Sequence, residues 1–141
     1  MNHEILFRDL GDRRFRFALT GAKGGFSRTL LAQIRAIPRL QPAVLCDLDP
    51  DGVLALLAEL GFPAGAARIC DTPDGAREAA AAGQIVVLRD QSLLGAVPHD
   101  ILVEATGQPE AGARMALEAI RRGTHVAMVS KEVDSVVGPH L

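Results

Sequence analysis

The sequence predicts an α/β fold in which a mostly parallel, doubly wound sheet carries helices on both faces. Three observations lead there. From residue 14 onward, short apolar runs of strand character alternate with helical patterns, and the turns between them are short. A chain organised this way buries both faces of a parallel sheet. Three of the helical patterns open with proline at the first helical position and close with glycine just past the end, which is how helices are commonly punctuated. The first strand runs straight into a glycine-rich turn and from there into a helix. Crossovers between parallel strands are right-handed, so the doubly wound arrangement is the simplest way to join such units. At 141 residues the chain suits one domain with a sizeable core.

Taken in order, residues 1–13 read as an N-terminal arm with one helical turn over 4–10, ended by Gly11-Asp12. The arm packs on the domain or on a partner subunit, which leaves a homo-oligomer open. Residues 14–141 form the domain proper. Phe15, Phe17 and Leu19 alternate at strand period, and Phe26, Leu30, Ile34 and Ile37 recur at helical spacing. That first helix is expected to stop at Pro38, whose ring cannot continue it. Residues 43–46 are short, uniformly apolar and bounded by turn residues, as in a buried parallel strand, and they deliver Asp47 to its carboxyl end. Asp49-Pro50 opens a helix carrying Val53, Leu54, Leu56, Leu57 and Leu60 and ending at Gly61. Thr72-Pro73 opens an alanine-rich helix that ends at Gly83. Gln108-Pro109 opens the longest, which finishes in Arg121-Arg122 before Gly123, with its cations placed to complement the helix dipole. Strands are predicted at 67–70, 85–88, 101–104 and 125–129. There is no internal repeat and no low-complexity linker.

Composition excludes several function classes. A formal charge of -2 gives no broad attraction for nucleic acid or acidic membranes. Tryptophan and tyrosine are absent, leaving few platforms on which bases stack. No apolar run is long enough to span a bilayer, and the N-terminus has no secretory apolar core. Cys46 and Cys70 each end a predicted strand, outside any Cys-x-x-Cys pair, and read as reduced core thiols of a cytoplasmic protein. His3, His99, His125 and His140 lack metal-ligand spacing, so no metal site is expected in this chain.

The chemistry concentrates at the carboxyl ends of the predicted strands. The turn reads Gly21-Ala22-Lys23-Gly24-Gly25-Phe26-Ser27. Glycines between a first strand and a first helix let backbone N–H groups approach a diphosphate closely, the usual cradle of a dinucleotide-binding, Rossmann-type fold. Lys23 stands where the second glycine of Gly-x-Gly-x-x-Gly would be, either as a charge-assisted phosphate contact or as a solvated loop lysine. Asp47 and Asp49 follow the second strand. Asp49 precedes a helix-opening proline and is assigned to capping; Asp47 is assigned to the adenosine ribose hydroxyls, where an acid favours NAD over NADP unless Arg68 or Lys23 relaxes the preference. Thr106-Gly107 ends the 101–104 strand, either admitting a flat ring or phosphate close to backbone or serving only chain reversal. Ser130-Lys131-Glu132 follows the last strand. A methyltransferase also uses a glycine turn and an acid after strand two, but the later sheet strands and an aromatic adenine wall are missing.

Four segments, Gly21-Ala22-Lys23-Gly24-Gly25-Phe26, Cys46-Asp47-Leu48-Asp49-Pro50, Val103-Glu104-Ala105-Thr106-Gly107 and His125-Val126-Ala127-Met128-Val129-Ser130-Lys131-Glu132, give a further lead. From about Arg14 onward the chain resembles the NAD(P)-binding domain of a family related to homoserine dehydrogenase and deoxyxylulose phosphate reductoisomerase, whose best-known members carry a C-terminal SAF-type domain. The resemblance implies hydride transfer between NAD or NADP and a small polar carbonyl or phosphorylated sugar. It raises Lys131, and with it Glu132, to candidate catalytic residues near nicotinamide and substrate. It also implies that the substrate-binding domain, with any divalent metal it holds, lies in a missing or partner domain. The other reading is a stand-alone nucleotide-binding or redox-sensing module without catalysis.

Overall fold

The computed structural model describes residues 10–141. The helical turn expected over 4–10 falls almost entirely outside them. Among the described residues six strands form one sheet: β1 (Phe15–Thr20), β2 (Leu40–Cys46), β3 (Ala67–Ile69), β4 (Ile85–Leu88), β5 (Ile101–Glu104) and β6 (His125–Met128). Their order is β3-β4-β2-β1-β5-β6, and every pairing is parallel. The chain builds outward from β1 on one side through β2, then returns to place β5 on the other. The carboxyl ends of β1 and β5 therefore flank the point where the winding reverses, which is where open α/β sheets bind ligands.

Among the described residues five α-helices connect or follow the strands: α1 (Gly25–Ile34), α2 (Pro50–Glu59), α3 (Pro73–Ala81), α4 (Pro109–Arg121) and α5 (Lys131–Val137). The proline openings hold as expected, and Gly61, Gly83 and Gly123 beyond α2, α3 and α4 all have positive φ. On one face of the sheet, Leu31 and Ile34 of α1 and Val53, Leu56 and Leu57 of α2 pack on Phe17, Leu19, Leu45, Val87 and Val103. On the other, Ala76 and Ala79 of α3, Leu94, and Met115 and Ala119 of α4 pack on Ala18, Val44, Val86, Leu88 and Leu102. Both faces of the central strands are buried, which is why these strands read as uniform apolar runs.

Several boundaries differ from the sequence expectation. Helix α1 ends at Ile34 instead of running to Pro38, because the amides of Ala36 and Ile37 bond the carbonyls of Gln33 and Ile34 in tighter turns. A residue before proline disfavours the helical region, so the helix unwinds ahead of the ring. Its buried stripe is Ser27, Leu31 and Ile34, whereas Phe26 and Ile37 of the predicted stripe are exposed. Strand β2 begins earlier than expected and contains Pro42. The register steps from Phe17↔Pro42 to Ala18↔Val44, a bulge at which a proline is tolerated in a central strand. Strands β3 and β6 each end one residue early. A three-ten helix (Gln91–Ala96) and α5 were not anticipated.

Candidate functional site

The glycine turn is built around one close approach. Gly21 has φ +64°, and a Cβ placed on it would press into the Ala105 carbonyl and stand 3.0 Å from Thr106 Cα. Only glycine lets the β1 turn and the β5 loop touch backbone to backbone. The turn is then closed by hydrogen bonds. Gly24 N donates to Gly21 O at 3.0 Å, and the buried Ser27 hydroxyl donates to the same carbonyl at 2.7 Å. Ala22 N donates to Cys46 O, tying the turn to β2. Helix α1 then starts at Gly25 with no side-chain cap and no acidic residue in its first turn. Its N-terminal amides face the carboxyl edge of the sheet with the positive end of the helix dipole behind them. Gly24, Gly25 and Phe26 are exposed there.

Asp47 joins this turn from β2. Its Oδ2 accepts from Lys23 N at 2.9 Å and its Oδ1 from Asp49 N at 3.0 Å. The carboxylate thus holds the glycine turn against the β2 loop, and it retains lone pairs beyond these two bonds. Asp49 caps α2 as expected, accepting from Gly52 N at 3.0 Å. Its other oxygen pairs with the Lys23 ammonium. The Lys23 pairing holds the Asp49 carboxyl below its ordinary range, helped by the Gly52 amide; the same hydrogen bond and charge hold the Lys23 ammonium above its own. Lys23 is therefore neither a free loop lysine nor committed to a buried role. Cys46, beneath this loop, has its thiol pushed up to about 12 by burial, with the charges of Asp47 and Asp90 adding to it. It stays a neutral core thiol, and both cysteines are free and buried.

The β5 loop forms the opposite wall. Glu104, the last residue of β5, is fully buried. Its Oε1 accepts from Thr106 N at 2.8 Å and from the Thr106 hydroxyl, whereas its Oε2 has no hydrogen-bond partner among the described residues. A Cβ added to Gly112 of α4 would stand 3.0 Å from that Oε2 and 2.8 Å from Val133 of α5, so the carboxyl is packed tightly under both helices. Gly107, with φ +66°, donates its amide to the buried Ser130 hydroxyl oxygen at 2.9 Å. That bond ties the Thr106-Gly107 loop to the start of α5, whose first turn carries Lys131 and Glu132, both exposed.

The structure thus brings Gly21, Lys23, Gly24, Gly25, Phe26 and Asp47 into one connected turn, sets Thr106 and Gly107 against it, and places Lys131 and Glu132 one strand further along the same edge. Glu104 and Ser130 are the organising residues to which the sequence reading gave no role. A charged residue ending an otherwise apolar strand was the visible signal for Glu104. A separate groove of about 360 Å³ lies on the α4 face, floored by Leu94, Leu102 and Met115.

Comparison with known proteins agrees with this architecture. No family model matches the sequence, and no curated protein does. Solved structures do. The chain is similar to the WlbA dehydrogenase from Bordetella pertussis, solved with NADH and UDP-GlcNAcA, at 23% identity and TM-score 0.55, over 82% of this chain and 28% of that one. It is similar to a myo-inositol dehydrogenase from Corynebacterium glutamicum at 19% identity and TM-score 0.56, over 82% and 27%. It is similar to DOX-P reductoisomerase in complex with magnesium at 26% identity and TM-score 0.58, over 89% and 33%. The fold is the Rossmann-type fold of NAD(P)-dependent dehydrogenases. The chain spans about a third or less of the length of each of these proteins. Among the described residues no helix is long and apolar enough to cross a membrane.

Proposed function

We propose that this chain is the NAD(P)-binding domain of an oxidoreductase that transfers a hydride to or from a small polar carbonyl or sugar-phosphate substrate, in the manner of homoserine dehydrogenase-like or reductoisomerase-like enzymes. The observation that carries the reading is the uncapped start of α1, locked by Gly21 against the β5 loop at the switch point and tied to Asp47. Such an N-terminus lacks a protein acceptor and is suited to an anion. The amides of Gly25 and Phe26 would hold the diphosphate, with Gly24, whose own amide closes the turn on Gly21 O, leaving that approach free of a side chain. Asp47 would use its remaining lone pairs on the ribose hydroxyls. Thr106 and Gly107 would bound the nicotinamide side, where the small Gly107 allows close approach. When bound, the dinucleotide supplies or accepts the hydride.

Lys131 follows β6 at the same edge, and its role is to orient and polarise the substrate carbonyl, with Glu132 beside it. The substrate-binding half, and the divalent metal that the reductoisomerase resemblance implies, belong to a further or partner domain. Among the described residues no group of three or more His, Cys, Asp or Glu is placed to hold a metal.

Calorimetric titration with NADH and NADPH tests the reading; no binding of either at millimolar concentration overturns it. Asp47→Ser is expected to weaken NADH more than NADPH, and an equal loss removes Asp47 from the ribose. The isolated chain is expected to bind without turnover, and turnover with a sugar phosphate or hydroxy acid would refute the assignment of substrate chemistry to another domain.

A further inference from the structure

The two edges of the sheet are finished differently. β3 is three residues long, and Arg68 at its middle is exposed and reaches Glu78 at 3.9 Å. A short, charged edge of this kind resists pairing with another chain. β6, at the other edge, has no Lys, Arg, Asp or Glu among its four residues, and no described strand pairs with its outer side. The amides of His125 and Val129 donate inward, to Asp100 O just before β5 and to Glu104 O at its end. Backbone groups alternate in direction along a strand, so the N–H and C=O of Val126 and Met128 point outward. Such an open row is a template for strand addition.

Apolar side chains flank that row on the α4 face. Of the six large apolar side chains exposed among the described residues, three lie here: Leu117 and Ile120 of α4 and Val136 of α5. Met115, Glu118 and Arg122 line the groove toward Leu94. Leu117 and Ile120 stand on the opposite side of α4, beyond β6. They belong to the end of α4 that leads into the start of β6, whereas Val136 belongs to α5, which follows the end of β6. Charge is divided the same way. Arg121, in the last turn of α4, is exposed and makes no ion pair among the described residues. The first turn of α5 carries Glu132 and Asp134 against one cation, Lys131. One end of the edge is apolar and basic, and the other is apolar and acidic.

We propose that β6 is a self-association edge, to which a second copy of this chain adds its own β6 antiparallel, about a two-fold axis at Ala127. Antiparallel addition turns one copy end for end. Leu117, Ile120 and Arg121 of each copy then meet the α5 of the other, with its Val136 and its acids, and the contact is made twice. A two-fold dimer requires this kind of self-complementarity. The register sets Val126 opposite the partner's Met128 in hydrogen-bonded pairs that use the outward amides and carbonyls. Ala127 then faces its counterpart in the closer, non-hydrogen-bonded pair, where a methyl group fits. Strand pairing over so few residues buries too little for a stable dimer, and the helix patches beside the seam supply the remainder. The dimer is independent of the cofactor reading, so the failure of either leaves the other standing.

The test is sedimentation velocity of the full chain from micromolar to submillimolar concentration, where a monomer–dimer equilibrium is expected. Ala127 is exposed, and Ala127→Glu sets two carboxylates against each other across the axis. That variant should stay monomeric throughout the range with an unchanged far-ultraviolet circular dichroism spectrum. Arg121→Glu and Asp134→Arg should each weaken the dimer about tenfold, and the double variant should recover it. A wild-type chain that is monomeric at every concentration overturns the proposal, and is the outcome expected if this edge receives a strand of another domain instead. A dimer that survives Ala127→Glu overturns it as well, because its interface lies elsewhere. Failure of the double variant to recover association refutes the end-for-end arrangement.

Discussion

Replacing Gly21 with alanine tests the contact on which the crevice rests. Two costs arise. The φ of +64° is left-handed, which costs a residue with a Cβ about 1–2 kcal/mol. The new methyl would also stand 2.9 Å from the Ala105 carbonyl carbon and 3.0 Å from Thr106 Cα. Both are backbone atoms of a loop fixed by Glu104 and Ser130, so they move only with the loop, at about 1–3 kcal/mol. Stiffening of the unfolded chain returns about 0.4–1 kcal/mol, for a net loss of about 2–4 kcal/mol. Gly65→Ala is the matched control: its φ is +77° and nothing lies within 4 Å of its Cβ, so only the conformational cost of about 1 kcal/mol remains. In a domain of this size each kcal/mol lowers Tm by about 3–4 °C. Thermal and urea melts should place Gly21→Ala roughly 6–15 °C below wild type, and Gly65→Ala about 3–4 °C below. NADH affinity should fall at least tenfold for Gly21→Ala, measured well below its Tm. Equal destabilisation of the two variants would show that the loops are not locked together, and would remove the physical basis for the crevice.

Other consequences are open to the same instruments. Glu104→Ala strips Thr106 of the acceptor for its amide and hydroxyl and leaves a cavity under α4 and α5, so urea denaturation should show a loss of about 2–4 kcal/mol; Glu104→Gln keeps the volume and one acceptor and should lose less than half as much. Thr72→Ala removes the hydroxyl that accepts from Gly75 N at 3.1 Å, and a loss of about 1 kcal/mol without change in nucleotide affinity is expected. Cys46 gives a pH signature: the folded thiol keeps its proton to about 12 whereas the unfolded one releases it near 9.0. The unfolded state therefore binds fewer protons in that window, and stability falls as pH rises through it, by at most about 1.4 kcal/mol per pH unit. Cys46→Ala should flatten that slope in urea melts between pH 9 and 11, and an unchanged slope would mean the thiol ionises in place.

Much of the fold was legible because local and global signals agree. Pro50, Pro73 and Pro109 open helices and Gly61, Gly83 and Gly123 end them, since fixed φ and free φ leave few other uses for those residues at those spacings. The apolar runs that became β4 and β5 are buried by helices on both faces and admit no alternation to misread. Helix α1 was harder. The apolar stripe through Phe26, Leu30, Ile34 and Ile37 is as regular as the real one, and only the tertiary burial of Ser27 against Gly21 O decides between two stripes one residue apart. The bulge opposite Phe17 and the three-ten segment are likewise set by packing and carry no local mark.

At the site, spacing along the chain identified the residues but not their bonds to one another. Asp47 was recognisable as the acid after strand two, yet its tie to Lys23 N depends on two loops meeting at a sheet edge. The helix starts show how far sequence can go. Asp49 and Thr72, which precede prolines, each cap their helices with a side-chain oxygen, whereas Gly24, Gln108 and Ser130 give no cap to α1, α4 and α5. The uncapped starts are those set around the β5 loop: Gly21 touches it, Gln108 continues from it, and Ser130 spends its hydroxyl oxygen on Gly107 instead of on its own helix. A cap residue placed at Gly24 would satisfy α1 internally and compete with a bound anion for the same amides. Gly24→Ser is therefore expected to raise Tm slightly while weakening NADH, a trade that a turn serving only chain reversal would not show.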